Sequence, residues 1–147
     1  MSNPARSFEP PAGLLPVADA SSRPFWSAAA LGVLSLPRCA CSPRLLFPPP
    51  ARCPDCLGSG LEWVTLSGRG RLWAWTEVTL PGSAEAGSVS VIAQVALDEQ
   101  PTLRLLAADP NRLVHRLELG DAVRLVLRPC ANGIGLAELA ADGGPDD

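Results

Sequence analysis

Four of the five cysteines fall within eighteen residues, as Cys39-x-Cys41 and, after eleven intervening residues, Cys53-x-x-Cys56. Two thiolate pairs joined by a short loop can close on one soft cation. Zinc accepts four thiolates in a closed tetrahedral site at about 2.3 Å, and such a site leaves no open position for catalysis. The expected cofactor is therefore Zn2+, held structurally by Cys39, Cys41, Cys53 and Cys56. Four thiolates on a divalent ion leave a charge of −2, which Arg38, Arg44 and Arg52, neighbours of the ligands in sequence, can offset. The second pair, in Arg52-Cys53-Pro54-Asp55-Cys56, has the regular form of a metal knuckle. The first has only Ala40 between its cysteines, with Ser42-Pro43 after them. Two outcomes stay open: retained zinc, or a metal-free knuckle held by prolines and packing. A disulfide framework is disfavoured in a reducing compartment.

Little else in the sequence nominates chemistry. There is no glycine-rich phosphate loop, no Gly-x-Ser-x-Gly elbow and no tyrosine. His115 is the only histidine and has no evident carboxylate partner, so it reads as structural or exposed. Cys130 stands apart and reads as a small apolar residue. Asp98-Glu99 reads as a solvated turn. The chain is expected not to be an enzyme in its own right.

Composition narrows the partners. The 147 residues carry a net charge of −3 and only 18% charged residues, and all twelve basic residues are arginine. Clustered basic charge, which phosphate contacts require, is missing from that balance. Met1–Ser22 lacks the basic start, apolar run and cleavage site of a secretory signal. No apolar stretch reaches membrane-spanning length. The expected location is the cytoplasm, with no membrane partner.

The elements that must position the cysteines follow from pattern. Residues 1–23, rich in Pro, Ser and Ala, read as a disordered arm. Residues 24–35 read as a short helix opened by Pro24, with Phe25, Trp26, Ala29, Ala30, Val33 and Leu34 on one face. Trp26 packs either on its own chain or on a partner. Residues 36–60 form the knuckle segment, where six prolines from Pro37 to Pro54 exclude a helix or a central strand. Residues 61–140 show short apolar runs divided by turns: Leu61–Leu66, Arg71–Leu80, Val89–Leu97, Thr102–Ala107, Ala122–Leu127 and Gly133–Leu139. Pro81–Ser88 reads as a loop, and a short helix is expected near Arg112–Leu117. Regular short strands with one longer connection point to a five-stranded barrel of the OB type. Trp73 and Trp75, two apart, are expected on one strand face, filling the barrel or forming an exposed patch, with the interior favoured. Residues 141–147 read as an acidic tail.

The order of motifs resembles the zinc-ribbon-containing OB-fold family known as domain of unknown function 35. The residues that carry the resemblance are Pro24-Phe25-Trp26, Leu36-Pro37-Arg38-Cys39, Leu45-Leu46-Phe47-Pro48-Pro49, Cys53-Pro54-Asp55-Cys56 and Glu62-Trp63. They continue through Ser67-Gly68-Arg69-Gly70, Val91-Ile92-Ala93, Leu97-Asp98-Glu99 and Leu119-Gly120-Asp121-Ala122-Val123. The resemblance implies a mainly β protein: an N-terminal helix, a rubredoxin-like zinc ribbon, then a five-stranded OB-fold barrel. It further implies a non-catalytic accessory subunit docking on a thiolase, a ketosynthase-like acyltransferase or a MaoC-type enoyl-CoA hydratase, in lipid or steroid metabolism. Acyl-CoA would then be met indirectly. Phe25 and Trp26 are the partner-binding candidates. Arg69 and Arg71, flanking Gly70, are candidates for an acyl-CoA phosphate. The first knuckle departs from the family's Cys-x-x-Cys-Gly. The alternative is a single-stranded nucleic-acid-binding OB module, which exposed aromatics in a basic groove would favour. Seven arginines against twelve acidic residues over 61–147 make nucleic acid an unlikely partner.

Overall fold

The computed structural model describes residues 15–79, 89–130 and 133–143. The expected loop at 81–88 lies outside them, as do most of the arm and the end of the acidic tail. The chain divides into two compact units. One comprises Pro16–Gly68 with Leu127–Leu136, and the other is built mainly from Arg69–Val126 with the chain from Ala137 onwards.

In the first unit, helix α1 spans Arg23–Ala30. Pro24 stands in its first turn, where a missing N–H costs nothing. Just before it, the Asp19 carboxylate accepts bonds from the backbone N–H of Ser22 at 2.7 Å and from its hydroxyl at 2.8 Å. The helix ends sooner than the apolar pattern suggests, because Gly32 takes a left-handed turn at φ 80°. There Gly32 N–H donates to Ala29 and Val33 N–H to Ala28, the paired bonds that close a helix C-terminus. Phe25 and Ala29, four apart, form the buried stripe. A Cβ on Gly135 would collide with the Ala29 carbonyl, so glycine is what lets these backbones touch.

Strands β1 (Leu34–Cys39), β2 (Ser42–Leu45) and β3 (Leu61–Leu66) form a sheet in the order β2-β1-β3. The sequence pattern groups Leu61–Leu66 with the barrel. The strand instead runs antiparallel to β1, from Leu34 opposite Leu66 to Cys39 opposite Leu61. Alternation identifies a strand but not its neighbour.

In the second unit, β4 (Arg69–Thr79), β5 (Val89–Leu97), β6 (Arg104–Ala108), β7 (Ala122–Pro129) and β8 (Gly135–Ala141) close a barrel in the order β4-β5-β6-β8-β7. Alternate residues fill it: Leu72, Val91, Ala93, Val95, Leu97, Leu105, Val123 and Leu125 are all buried. Gly70 belongs to β4 rather than to the preceding turn. A Cβ there would strike the Ala96 carbonyl oxygen and Val95. A 3-10 turn, Leu113–Arg116, lies in the longer connection between β6 and β7, where a short helix is expected.

The two tryptophans of β4 do not share a face. Leu72 pairs with Val95, yet Ala74 pairs with Gln94, so one residue is inserted at this point of the strand. Past such a bulge the facing sense reverses. Trp75 comes opposite buried Ala93, on the inner side, while Trp73 points outward. Both rings keep contact with solvent, at 50% exposure for Trp73 and 39% for Trp75, so neither fills the barrel.

Candidate metal centre

Cys39 is the last residue of β1, and Ser42, which opens β2, pairs with it. Ala40 and Cys41 make up the two-residue turn between the strands. The pairing shifts register at Arg38/Cys39. This hairpin explains the compressed spacing: one cysteine ends a strand and the other rides on the turn. Cys53 and Cys56 sit on a tight loop in which Leu57 N–H donates to the Cys53 carbonyl and Cys53 N–H to the Gly58 carbonyl. Leu57 adopts φ 60°, a left-handed conformation unfavourable for a residue with a Cβ. A Cβ on Gly58 would lie 3.3 Å from the Cys56 sulfur.

The four sulfurs lie within 4.8 Å of one another. Cys39 approaches Cys56 to 3.5 Å, and Cys41 approaches Cys53 to 3.5 Å. Sulfurs at the corners of a tetrahedron of radius about 2.3 Å would be about 3.8 Å apart, a value inside the observed range. A disulfide, at about 2.05 Å, is not what these separations describe. Cys39 and Cys53 are buried; Cys41 and Cys56 face solvent. The four cysteines therefore lie close enough to hold one metal ion.

The electrostatics of the set favour a cation. The backbone N–H groups of Cys56 and Asp55 lower the Cys53 thiol to about 7 from the ordinary 9.0. Cys41 is pushed well up, because Cys39 and then Cys53 and Cys56 crowd it. Cys56 is also raised. The Gly58 backbone draws it down, but its contact with Cys39, burial and its contact with Cys53 raise it. One thiolate is thus readily formed and further ones repel it. A divalent cation is the species that lets all four ionise together.

The neighbouring arginines are committed to carboxylates or backbone. Arg44 Nη2 pairs with Asp55 at 2.8 Å, tying β2 to the second knuckle, and Arg38 Nε meets Glu62 at 3.4 Å. Arg52 Nη1 donates to the Leu57 carbonyl. Their charges temper the site less than their sequence positions suggest. Cys130 takes no part: its sulfur reaches the Arg128 carbonyl at 3.7 Å.

The remaining candidates are separate from the cysteines. Phe25 is buried beneath Trp26, with ring centroids 4.9 Å apart, and 5.8 Å from Phe47. Trp26 is half-buried. Arg69 and Arg71 are exposed on the same side of β4, and Arg71 Nη1 reaches the Gly120 carbonyl at 3.4 Å. His115 has the partner that its sequence neighbourhood hides. Its Nε2 lies 3.1 Å from Glu77 Oε1, its ring meets Trp75 edge-on at 5.0 Å, and Arg112 Nη1 lies 3.8 Å from the same oxygen. The 3-10 turn that carries it is anchored by buried Asp109, whose Oδ2 accepts the Val114 N–H at 2.9 Å. Glu77 and His115 are 38 residues apart in sequence, and no local signal joins them.

A five-stranded OB barrel and a four-cysteine ribbon define the class of this protein. Residues 63–128 match the family model described as the ChsH2 C-terminal OB-fold domain. Among solved structures it is similar to a chain of an "Ltp2-ChsH2(DUF35) aldolase", at 23% identity and a TM-score of 0.72, over 85% of this chain and 97% of that one. No curated protein matches it. The likeness establishes a shared fold. It also overturns the expectation that the chain is not an enzyme, since the solved structure of this fold is described as an aldolase. Among the described residues, no helix is long and apolar enough to cross a membrane.

Proposed function

We propose that this chain is a subunit of an acyl-CoA-processing enzyme assembly, docking on a thiolase- or aldolase-like, ketosynthase-like or MaoC-type hydratase protein of lipid or steroid breakdown. The observation that carries the reading is the likeness, across both units, to a chain of an aldolase described by two joined names. Cys39, Cys41, Cys53 and Cys56 hold Zn2+ as a closed structural site, and the site braces the β1–β2 hairpin against the second knuckle. Trp26 faces the partner, and Phe25 supports it from beneath. Four free thiols in such a site suit a reducing, cytoplasmic setting.

The test is co-expression with a thiolase-like and, separately, a MaoC-type protein from the same genome. The expected result is a complex that stays intact through size exclusion and carries one zinc per copy of this chain. If neither class of enzyme associates with a folded, zinc-loaded chain, the reading is wrong.

A further inference from the structure

Exposure sorts the four clustered cysteines in a way that their spacing does not. Each knuckle has one buried cysteine and one exposed. Cys39 and Cys53 are 8% and 1% exposed, while Cys41 and Cys56 face solvent. The 3.5 Å approaches join unlike members of different knuckles. Exposed Cys41 meets buried Cys53, and exposed Cys56 meets buried Cys39. A small oxidant arriving from solvent therefore reaches Cys41 and Cys56 first, and behind each stands a second sulfur. An accessible sulfur backed by a resolving one is the arrangement found at oxidation-sensitive cysteines. Cys130 lacks it, since its sulfur contacts the Arg128 carbonyl at 3.7 Å.

We propose that these two pairs are an oxidation site for hydroperoxides, and that oxidation links Cys41 to Cys53 and Cys39 to Cys56. In each pair the exposed sulfur attacks the O–O bond and takes one oxygen as a sulfenic acid. The other oxygen leaves as water or, from an alkyl hydroperoxide, as the alcohol. The buried sulfur then attacks the sulfenic sulfur. An S–S bond forms, the S–O bond breaks, and the oxygen leaves as water. Each pair gives up two electrons, and one hydroperoxide is reduced by them. The protons for the two leaving oxygens come from the thiols, or from solvent where the sulfurs are thiolates holding a cation. In that second case the sulfurs also release the cation, because a metal ligand must be a thiolate and disulfide sulfurs are not.

The pairing decides the consequence. Disulfides within the knuckles, Cys39 to Cys41 and Cys53 to Cys56, would leave the β1–β2 hairpin and the second loop unjoined. Pairing across the knuckles fastens one to the other. The Arg44–Asp55 ion pair at 2.8 Å already spans the same two elements. The two bonds are nested, the Cys41–Cys53 loop lying inside the Cys39–Cys56 loop, and each restricts the unfolded chain. The oxidised segment thus keeps its fold after any cation has left. Phe47, which follows β2 and lies 5.8 Å from Phe25, keeps its place with it. The proposal stands apart from the subunit reading, because it needs no partner.

The experiment treats the purified full chain, as isolated and after zinc loading, with one equivalent of hydrogen peroxide for each pair. Free thiols should fall from five to one, with Cys130 left. In the zinc-loaded sample a chromophoric chelator should read metal release in step with thiol loss. Trypsin cuts after Arg38, Arg44 and Arg52, so Cys39 and Cys41 share one peptide and Cys53 and Cys56 share another. The two peptides should appear joined, and fragmentation of the joined species should place the bonds at Cys41–Cys53 and Cys39–Cys56. The oxidised chain should keep a cooperative thermal transition, and a thiol reductant should restore all the thiols. Separate peptides, each with an internal disulfide, would overturn the pairing, as would joined peptides bonded Cys39–Cys53 and Cys41–Cys56. Sulfinic acid at Cys41 or Cys56 would show that the buried sulfurs do not resolve them. Disulfides between chains, or thiols that outlast the peroxide, would remove the site altogether. Loss of the cooperative transition on oxidation would refute the retained fold.

Discussion

In the barrel, five strands turn every second side chain towards a shared interior, and Leu72, Val95, Leu97 and Val123 are sealed from water. Around the cysteines the arrangement differs. The 46–60 segment carries no helix or strand, and its buried members are Leu46 and Cys53. A closed sheet distributes its stabilisation over many small contacts, each worth little alone. A metal held by the four sulfurs would concentrate it at one point in the cysteine segment. Loss of one contact should therefore be felt gradually in the barrel and all at once at the knuckles.

The largest effect expected from this contrast is metal removal. Structural zinc in small domains contributes on the order of 10 kcal/mol to folding. A strong chelator, or Cys53→Ser, should release the ion and abolish hydrogen-exchange protection across residues 37–60. Protection in β4, β5 and β6 should persist. Simultaneous loss in both regions would show that the two units are not energetically separate.

Next in size is Leu72→Ala, which leaves a cavity in the barrel. It should cost about 2–5 kcal/mol in denaturant unfolding and leave zinc content at one per chain. A smaller loss is expected at Gly32→Ala. A left-handed turn forced on a residue with a Cβ costs about 1–2 kcal/mol, read as a lower thermal midpoint.

The pH response should separate the units as well. In the metal-free chain, the Cys53 thiol is depressed to about 7 from an ordinary 9.0. Its contribution to stability is present above pH 9 and fades as the pH falls to 7. Cys41 and Cys56 are raised, so their deprotonation opposes folding above pH 9. Stability of the metal-free cysteine unit should therefore rise from pH 7, peak near pH 9 and fall above it. Zinc affinity should instead climb steadily with pH, as metal displaces protons. Thermal scans of apo and zinc-loaded protein across this range check both signs. The smallest effect is expected at Arg44→Ala. Its exposed ion pair with Asp55 should contribute no more than about 1 kcal/mol.

What could be read from residues alone follows the range of each interaction. Val89–Leu97 is found where alternation places it, because period-two burial is a local property. That the four cysteines come together is legible from their spacing, and a two-residue turn resolves the odd first gap. The place of β3 was not legible, since its partner β1 is chosen by pairing across the knuckle. Neither was the Glu77–His115 contact, which bulge and turn create together. Nor was the burial of Phe25 legible, since it depends on Phe47, distant in sequence, lying against it.

The insertion in β4 works as a half-step of phase. Upstream of it, even-numbered residues look inward; downstream, odd-numbered ones do. Deleting Trp73 would remove the extra residue and leave Ala74 opposite Gln94, so Trp75 and Glu77 would keep facing inward, towards His115. Only the outward ring over which Arg104 lies would be lost. The inserted position thus adds one side chain to the outer face without turning the rest of the strand over.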